Sequence, residues 1–254
     1  MDIGALIVHI PHSSIHIPLE YEGDNLLTDR ELQHELLIMT DRFVDELFAF
    51  EGVQSHINPI SRLVMDPERF RSDQIEPMAK VGMGAIYTLT SGGKPLRRIT
   101  PDQREKILVD LYDPYHAKMS AMVDDVLRKY DTCLIIDAHS FSSEPLQHEI
   151  LLGDGFRISR PDICLGYEEQ HSDRRIIKMV ENYFIKCDFS VAHNYPFMGS
   201  FVPMKHYRQD SRVLSLMIEL NRSLYMNERT GCKSKHFEIV REKMEGLFKL
   251  LINL

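Results

Sequence analysis

Short apolar runs bounded by turn residues alternate along this chain with segments of helical period, and that alternation restricts the fold more than any other feature. The clearest run is Cys133–Asp137, in "TCLIIDAHS". Others are Ala5–Ile10, Val53–Ile57, Arg62–Met65, Ile150–Leu152, Asp162–Leu165, Ser190–His193 and Val213–Leu220. Runs of this length, rich in Val, Ile and Leu, read as strands. Between them, Asp29–Gly52 carries Leu32, Leu36, Phe43, Val44 and Leu47 at helical spacing, with Thr28 and Glu31 placed for a capping box. Thr100–Lys129 starts with an N-cap threonine and Pro101 at the first helical position. Arg174–Lys186 and Lys235–Asn253 are further helices. Strands alternating with helices predict an α/β fold: three layers, with a mixed, mostly parallel sheet flanked by helices. No repeat or linker divides the chain, so residues 1–254 are expected to form one catalytic domain.

In such folds the strand ends carry the site. "IVHIPHSS" ends an apolar run in Pro11 and His12, and "LIIDAHS" ends another in Asp137, His139 and Ser140. Glu219 lies inside the apolar "LMIEL" of the last run. Two histidines and a carboxylate at neighbouring strand ends are the ligands and base of a hydrolytic zinc site. Taken alone, His12 reads more plainly as a turn histidine. Asp41 is the best further carboxylate, because "TDRFVDEL" puts Asp41 and Asp45 at i and i+4 on one helical face. Asp137, two residues before His139, can orient that imidazole, with Ser140 beside it. An apolar setting would raise the pKa of Glu219 and suit it to general-base work; an internal ion pair with Arg222 is the alternative.

Arg62 and Arg69 flank Asp66 in "SRLVMDPERF", and either one can clamp a substrate carboxylate or pair with Asp66. His116, on a helix after Pro114, is either a further substrate contact or a core histidine. Residues Pro77 to Ile99 hold four glycines and little helical pattern, as expected of a long functional loop or a β-hairpin excursion, with Gly82–Gly93 able to close over a ligand.

Several classes are excluded or disfavoured. A net charge of -8 argues against nucleic acid as a partner. The longest apolar runs are about ten residues, roughly half a membrane span. The N-terminus has neither a basic region nor a small-residue cleavage site. Cys133, Cys164, Cys187 and Cys232 form no CxxC pair, and a cytoplasmic location is expected. No phosphate-binding glycine motif and no GxSxG elbow occurs.

"PHSS", "TDRFVDELF", "SRLVMD", "DPYHAKM", "DAHS" and "MIELNRSLYM" follow one another in the order seen in N-formylglutamate amidohydrolases. The chain resembles that family from about Ile7 to Met226. The resemblance implies a fold similar to zinc carboxypeptidases and hydrolysis of N-formyl-L-glutamate to formate and L-glutamate, in histidine degradation. It implies Zn2+, or another divalent metal, held by His12, Asp41 and His139, with Glu219 as the catalytic glutamate. Arg62 and Arg222 would meet the carboxylates of a small N-acyl amino acid substrate. Two departures concern the pocket: "DPERF" replaces "DLNR", putting Glu68 where the family has Asn while keeping Arg69, and Gly199-Ser200 replaces a double glycine. Two further readings are a deacylase or peptidase for another N-acyl amino acid and a non-catalytic binding protein for acidic small molecules.

Overall fold

The fold, a computed structural model, is described for residues 2–21, 23–151 and 159–253. Strand β1 (Leu6–Ile10) is buried at every position, as a central strand covered on both faces must be. With β2 (Gln54–Ile57), β3 (Cys133–Phe141), β4 (Ile163–Gly166), β5 (Val191–His193) and β6 (Val213–Asn221) it forms a six-stranded sheet of order β2-β1-β3-β6-β4-β5. All pairs are parallel except β4 against β6. The sheet is therefore mixed and mostly parallel, as expected. A small antiparallel ribbon, β7 (Met226–Asn227) and β8 (Cys232–Lys233), stands apart.

The helices are α1 (Asp29–Met39), α2 (Val44–Leu47), α3 (Pro101–Ile107), α4 (Asp113–Leu127), α5 (Gln147–Leu151), α6 (Arg174–Lys186) and α7 (Phe237–Ile252). Thr28 and Glu31 make the capping box of α1, and Thr100 with Gln103 makes that of α3. A π-helical turn, Leu108–Tyr112, joins α3 to α4. Alternation along the strands sends side chains to two faces. Leu6, Val8, Ile10, Leu134 and Ile136 pack with Val180 and Phe184 of α6 and with Val240, Met244 and Leu247 of α7. Ile7, Cys133 and Ile135 pack with Met119, Val123 and Val126 of α4. Helix, sheet and helix make three layers, and each such apolar side chain contributes about 1.5–3 kcal/mol on burial. Among the described residues no helix is long and apolar enough to cross a membrane.

The structure departs from the local expectations in three places. The helix expected over Asp29–Gly52 is two helices. Thr40 is extended at ψ 133° and Phe43 turns left-handed at φ 67°, so Asp41 lies in the break and shares no helical face with Asp45. Arg62–Met65 is a turn rather than a strand, closed by the Val64 N–H donating to the Ser61 carbonyl at 2.9 Å. Its apolar residues Leu63, Val64 and Met65 are buried all the same, which is what the strand-like pattern registered. Ile150 belongs to α5, not to a strand, and Leu152 lies outside the described residues. The glycine-containing stretch after Pro77 holds a 3₁₀ turn and antiparallel bridges, Met83 to Tyr87 and Leu89 to Pro95. Met83 and Tyr87 belong to a core cluster with Leu36, Met39 and Leu63, so the start of this segment is anchored.

Two histidines, His56 against α4 and His116 within it, each have a ring nitrogen unsatisfied. His56 Nε2 donates to the Tyr115 carbonyl at 3.1 Å, while its Nδ1 is buried without a partner. His116 Nε2 is likewise without one. Burial, as the largest cause, pushes both down to about 4, and His9 adds to it. The unfolded chain titrates them near 6.5. Between those values the unfolded state binds more protons, so this stabilisation is present above about pH 6.5 and lost as pH falls through about 4. The midpoint of urea unfolding is expected to fall from pH 7 to pH 4, and to fall less steeply in a His56→Phe, His116→Phe double variant. Parallel curves for the two proteins would contradict this.

Candidate active site

One face of the sheet changes chemistry along its length. On β3, Cys133 and Ile135 face α4 as apolar residues. Two and four residues further on the same face, Asp137 and His139 are polar. Parallel register sets His9 of β1 beside Asp137 and Glu219 of β6 beside His139. The polar groups therefore collect where β1, β3 and β6 end, with His12 just past β1. Of these, His12, Asp137, His139 and Glu219 line a cleft of about 330 Å³, with His9 buried behind it.

His12, Asp41 and His139 converge there, with one ligand atom from each within 4.8 Å of the others. His139 Nδ1 lies 3.2 Å from Asp41 Oδ2, and His12 Nδ1 lies 3.8 Å from the same oxygen. The break after α1 places Asp41: its N–H donates to the His12 carbonyl at 3.0 Å, tying the two loops together. The far nitrogens of both imidazoles meet carboxylates. His12 Nε2 lies 2.8 Å from Asp66 Oδ1, and His139 Nε2 lies 3.1 Å from both Asp137 Oδ1 and Glu68 Oε1. Since carboxylates only accept, the proton in each contact sits on Nε2, and His139 also donates from Nδ1 to Asp41 Oδ2. His12 Nδ1 faces the same oxygen without a hydrogen bond.

The two histidines shift in opposite directions. Burial, helped by Arg62, lowers the pKa of His12. Its Nδ1 lone pair is thus unprotonated at neutral pH, and it has no hydrogen-bond partner. Burial opposes protonation of His139 too, but Glu68 and Asp137 outweigh it and raise its pKa well above the ordinary value. Burial would likewise raise Asp41; the His139 hydrogen bond and the Arg222 guanidinium reverse this and hold it below the usual carboxylate range. The bare His12 Nδ1, an orphan in a buried setting, the ionised Asp41 oxygen, and His139 Nδ1 once it gives up its proton fit a borderline divalent cation such as Zn2+. The carboxylates behind the histidines fit the outer shell such sites use.

Glu219 stands on the same cleft, 7% exposed, with Oε2 unpartnered. Burial first, then Asp41 and Glu68, hold its carboxyl up to about 8, against the opposing His139. It does not pair with Arg222.

The arginines separate clearly. Arg222 Nη2 donates to Asp41 Oδ1 at 2.8 Å, its Nε to Ser140 Oγ at 3.2 Å, and its Nη1 to the Ile38 carbonyl. Arg62 donates through Nη2 and Nε to Asp66 Oδ2, at 2.7 and 3.2 Å, and Tyr87 Oη donates to the same oxygen. Arg69 is different: its Nε is 3.8 Å from Asp66, has no hydrogen bond, and belongs to a side chain on the cleft wall. Of the predicted residues, all line the cleft except His116, which stacks on Tyr112 with ring centroids 4.1 Å apart, behind the wall. Ser140 supports Asp41 through its N–H at 3.2 Å.

Three residues were not read from the sequence in the roles they occupy. Asp66 was weighed only as an arginine partner, yet it also holds His12. Glu68 faces both site histidines. His9 donates from Nδ1 to Asp137 Oδ1 at 2.8 Å. The sequence carried a signal for His9 only in its alternation with Ile7; its partner depends on register.

The sequence model of the N-formylglutamate amidohydrolase family matches residues 4–226. An N-formylglutamate deformylase of Pseudomonas putida is 24% identical over 234 residues, covering 88% of this chain and 82% of that protein. In fold the chain is similar to an N-formylglutamate amidohydrolase of Ralstonia eutropha, with TM-score 0.84 and 21% identity over 98% of this chain and 93% of that one. It is also similar to a gene product of Agrobacterium tumefaciens, with TM-score 0.64 and 17% identity over 98% and 92%. A match over nearly the whole fold, through every strand end that builds the cleft, places this chain in the N-formylglutamate amidohydrolase family.

Proposed function

We propose that the protein is a metal-dependent amidohydrolase that cleaves the formamide bond of N-formyl-L-glutamate, or of a related N-acyl amino acid, releasing formate and the amino acid. With glutamate as product, the step belongs to histidine degradation. The observation that carries this reading is the convergence of His12 Nδ1, Asp41 Oδ2 and His139 Nδ1 beside an unpartnered Glu219. His12, Asp41 and His139 would hold the metal, Zn2+ or another divalent ion, which supplies a Lewis acid for the amide carbonyl and makes water a stronger nucleophile.

The chain's own groups do the rest. Glu219 takes a proton from the attacking water as oxygen bonds to the acyl carbon. It returns that proton to the amide nitrogen as the C–N bond breaks, so the amine leaves neutral and the new oxygen leaves in formic acid, which loses its remaining proton to solvent as formate. A carboxyl whose affinity for protons lies near working pH suits both halves of the transfer. Arg69 is the guanidinium with unspent donors, and it holds the substrate carboxylate so that the scissile bond faces Glu219. Arg222 and Asp66 act as braces for Asp41 and His12.

The charge balance on the cleft wall favours a second reading of the substrate. Arg62 and Arg69 share Asp66, and Arg222 is matched by Asp41, so these three arginines leave one guanidinium charge unmatched on a wall that also carries Glu68 and Glu219. One carboxylate is served more readily than two, which points to an N-acyl amino acid with an uncharged side chain. Turnover of N-formylglutamate beside N-formyl derivatives of neutral amino acids separates the two readings.

Metal analysis with point variants tests the reading itself. Wild-type protein and Glu219→Gln should both retain stoichiometric metal, while the variant's kcat falls roughly 10²–10⁴-fold. His139→Ala should lose the metal as well as activity. A wild-type protein without metal affinity, or undiminished turnover in both variants, would sink the proposal. Arg69→Ala is expected to raise KM by about 10- to 100-fold with a smaller change in kcat, the scale of a lost charge-assisted contact. Arg222→Ala should instead lower stability by about 3–5 kcal/mol, because it leaves Asp41 buried and unpaired; chemical denaturation measures this.

A further inference from the structure

Behind His139 runs a chain of buried side chains that the catalytic reading does not use. Tyr115 Oη lies 2.8 Å from His9 Nε2, His9 Nδ1 lies 2.8 Å from Asp137 Oδ1, and that oxygen lies 3.1 Å from His139 Nε2. The Phe201 N–H donates to Asp137 Oδ2 at 2.8 Å, fixing the other end of the carboxylate. With the Phe201 N–H on Oδ2 and two imidazole nitrogens on Oδ1, the Asp137 carboxylate is the acceptor in every contact, and His9 carries its proton on Nδ1. The Tyr115 hydroxyl then donates to Nε2. The His9 ring is held by stacking on Phe201, centroids 4.1 Å apart, and lies 6.2 Å from the His56 ring on which it also stacks.

The chain matters because His139 Nε2 has two carboxylates within 3.1 Å. Glu68 is 16% exposed at the side chain, and among the described residues its carboxylate makes no hydrogen bond except to His139. Asp137 is 2% exposed and held by three donors. An acceptor held by three donors beside one held by a single contact decides where the imidazole points. We propose that Tyr115 and His9 are positioning residues: through Asp137 they keep the His139 Nε2–H directed away from Glu68 and aim Nδ1 at Asp41. Glu68 then remains free to turn into the cleft.

This inference rests on the reading of His139 as a metal ligand, and its test separates the two. Apparent zinc dissociation constants are measured by chelator competition on wild-type protein, Tyr115→Phe, His9→Phe and His9→Asn. Tyr183→Phe is the control, a tyrosine whose hydroxyl serves the Lys243 carbonyl far from the cleft. Tyr115→Phe and His9→Phe should weaken zinc binding about tenfold, the lower end of what such supporting partners contribute. His9→Asn, which restores an N–H where Nδ1 was, should recover most of the loss, and Tyr183→Phe should show none. Zinc affinity within twofold of wild type in both Tyr115→Phe and His9→Phe overturns the positioning role. Absence of zinc binding by the wild type counts against the metal site instead. The wild-type protein decides the relay without any variant: two-bond ¹H–¹⁵N NMR should show His9 protonated on Nδ1, and a proton on Nε2 alone overturns the proposal.

Discussion

The buried ion pair of Asp41 with Arg222 is the interaction on which the site depends. Arg222 stands just past β6, and its four hydrogen bonds reach the end of α1 at Ile38, the end of β3 at Ser140, and Asp41 itself. Asp41 in turn binds the loop after β1 through the His12 carbonyl. Four separate pieces of chain are thereby held around one carboxylate. A pair like this adds little net stability over an apolar replacement, since both ions lose their hydration. What it fixes is geometry: Oδ1 is occupied by the guanidinium, so Oδ2 is the oxygen left to face both imidazoles.

The same logic governs the wider cluster. His9, His12, Asp66, Asp137, His139 and Glu219 are all at most 7% exposed, a costly set of groups to remove from water. Among the described residues, the fully buried side-chain polar atoms of this set that lack a partner are His12 Nδ1 and Glu219 Oε2, and both belong to residues on the cleft. Unsatisfied buried atoms demand an explanation, and here both are the atoms that the proposed chemistry would use. Glu219 also shows why the strand register matters. It neighbours His139 across β3 and β6, so the proposed base stands directly beside a proposed ligand.

Much of this was legible in the chain itself. The strand ends that carry His12, His139 and Glu219 stood out because polar residues interrupt or terminate strongly apolar runs. The capping boxes of α1 and α3 were readable because they are local. Asp41 was identified for a reason the fold does not support: helical spacing with Asp45, where the structure has a break between two helices. Its place in the motif order was the better guide. The turn at Arg62–Met65 looked like a strand because Leu63, Val64 and Met65 are buried, and burial alone does not distinguish a strand from a packed turn.

The sequence by itself determined the layered α/β class, the strand ends at which polar chemistry gathers, and the residue types available there. These follow from local periodicity and from contrasts between neighbouring residues. Tertiary structure alone decided which carboxylate meets which histidine and which arginine keeps its donors. Asp66 lies 54 residues from His12, Asp137 lies 128 from His9, and Asp41 lies 181 from Arg222. Such pairings depend on strand register and on where a helix breaks, and a one-residue slip in register would turn every one of the strand-borne groups to the opposite face.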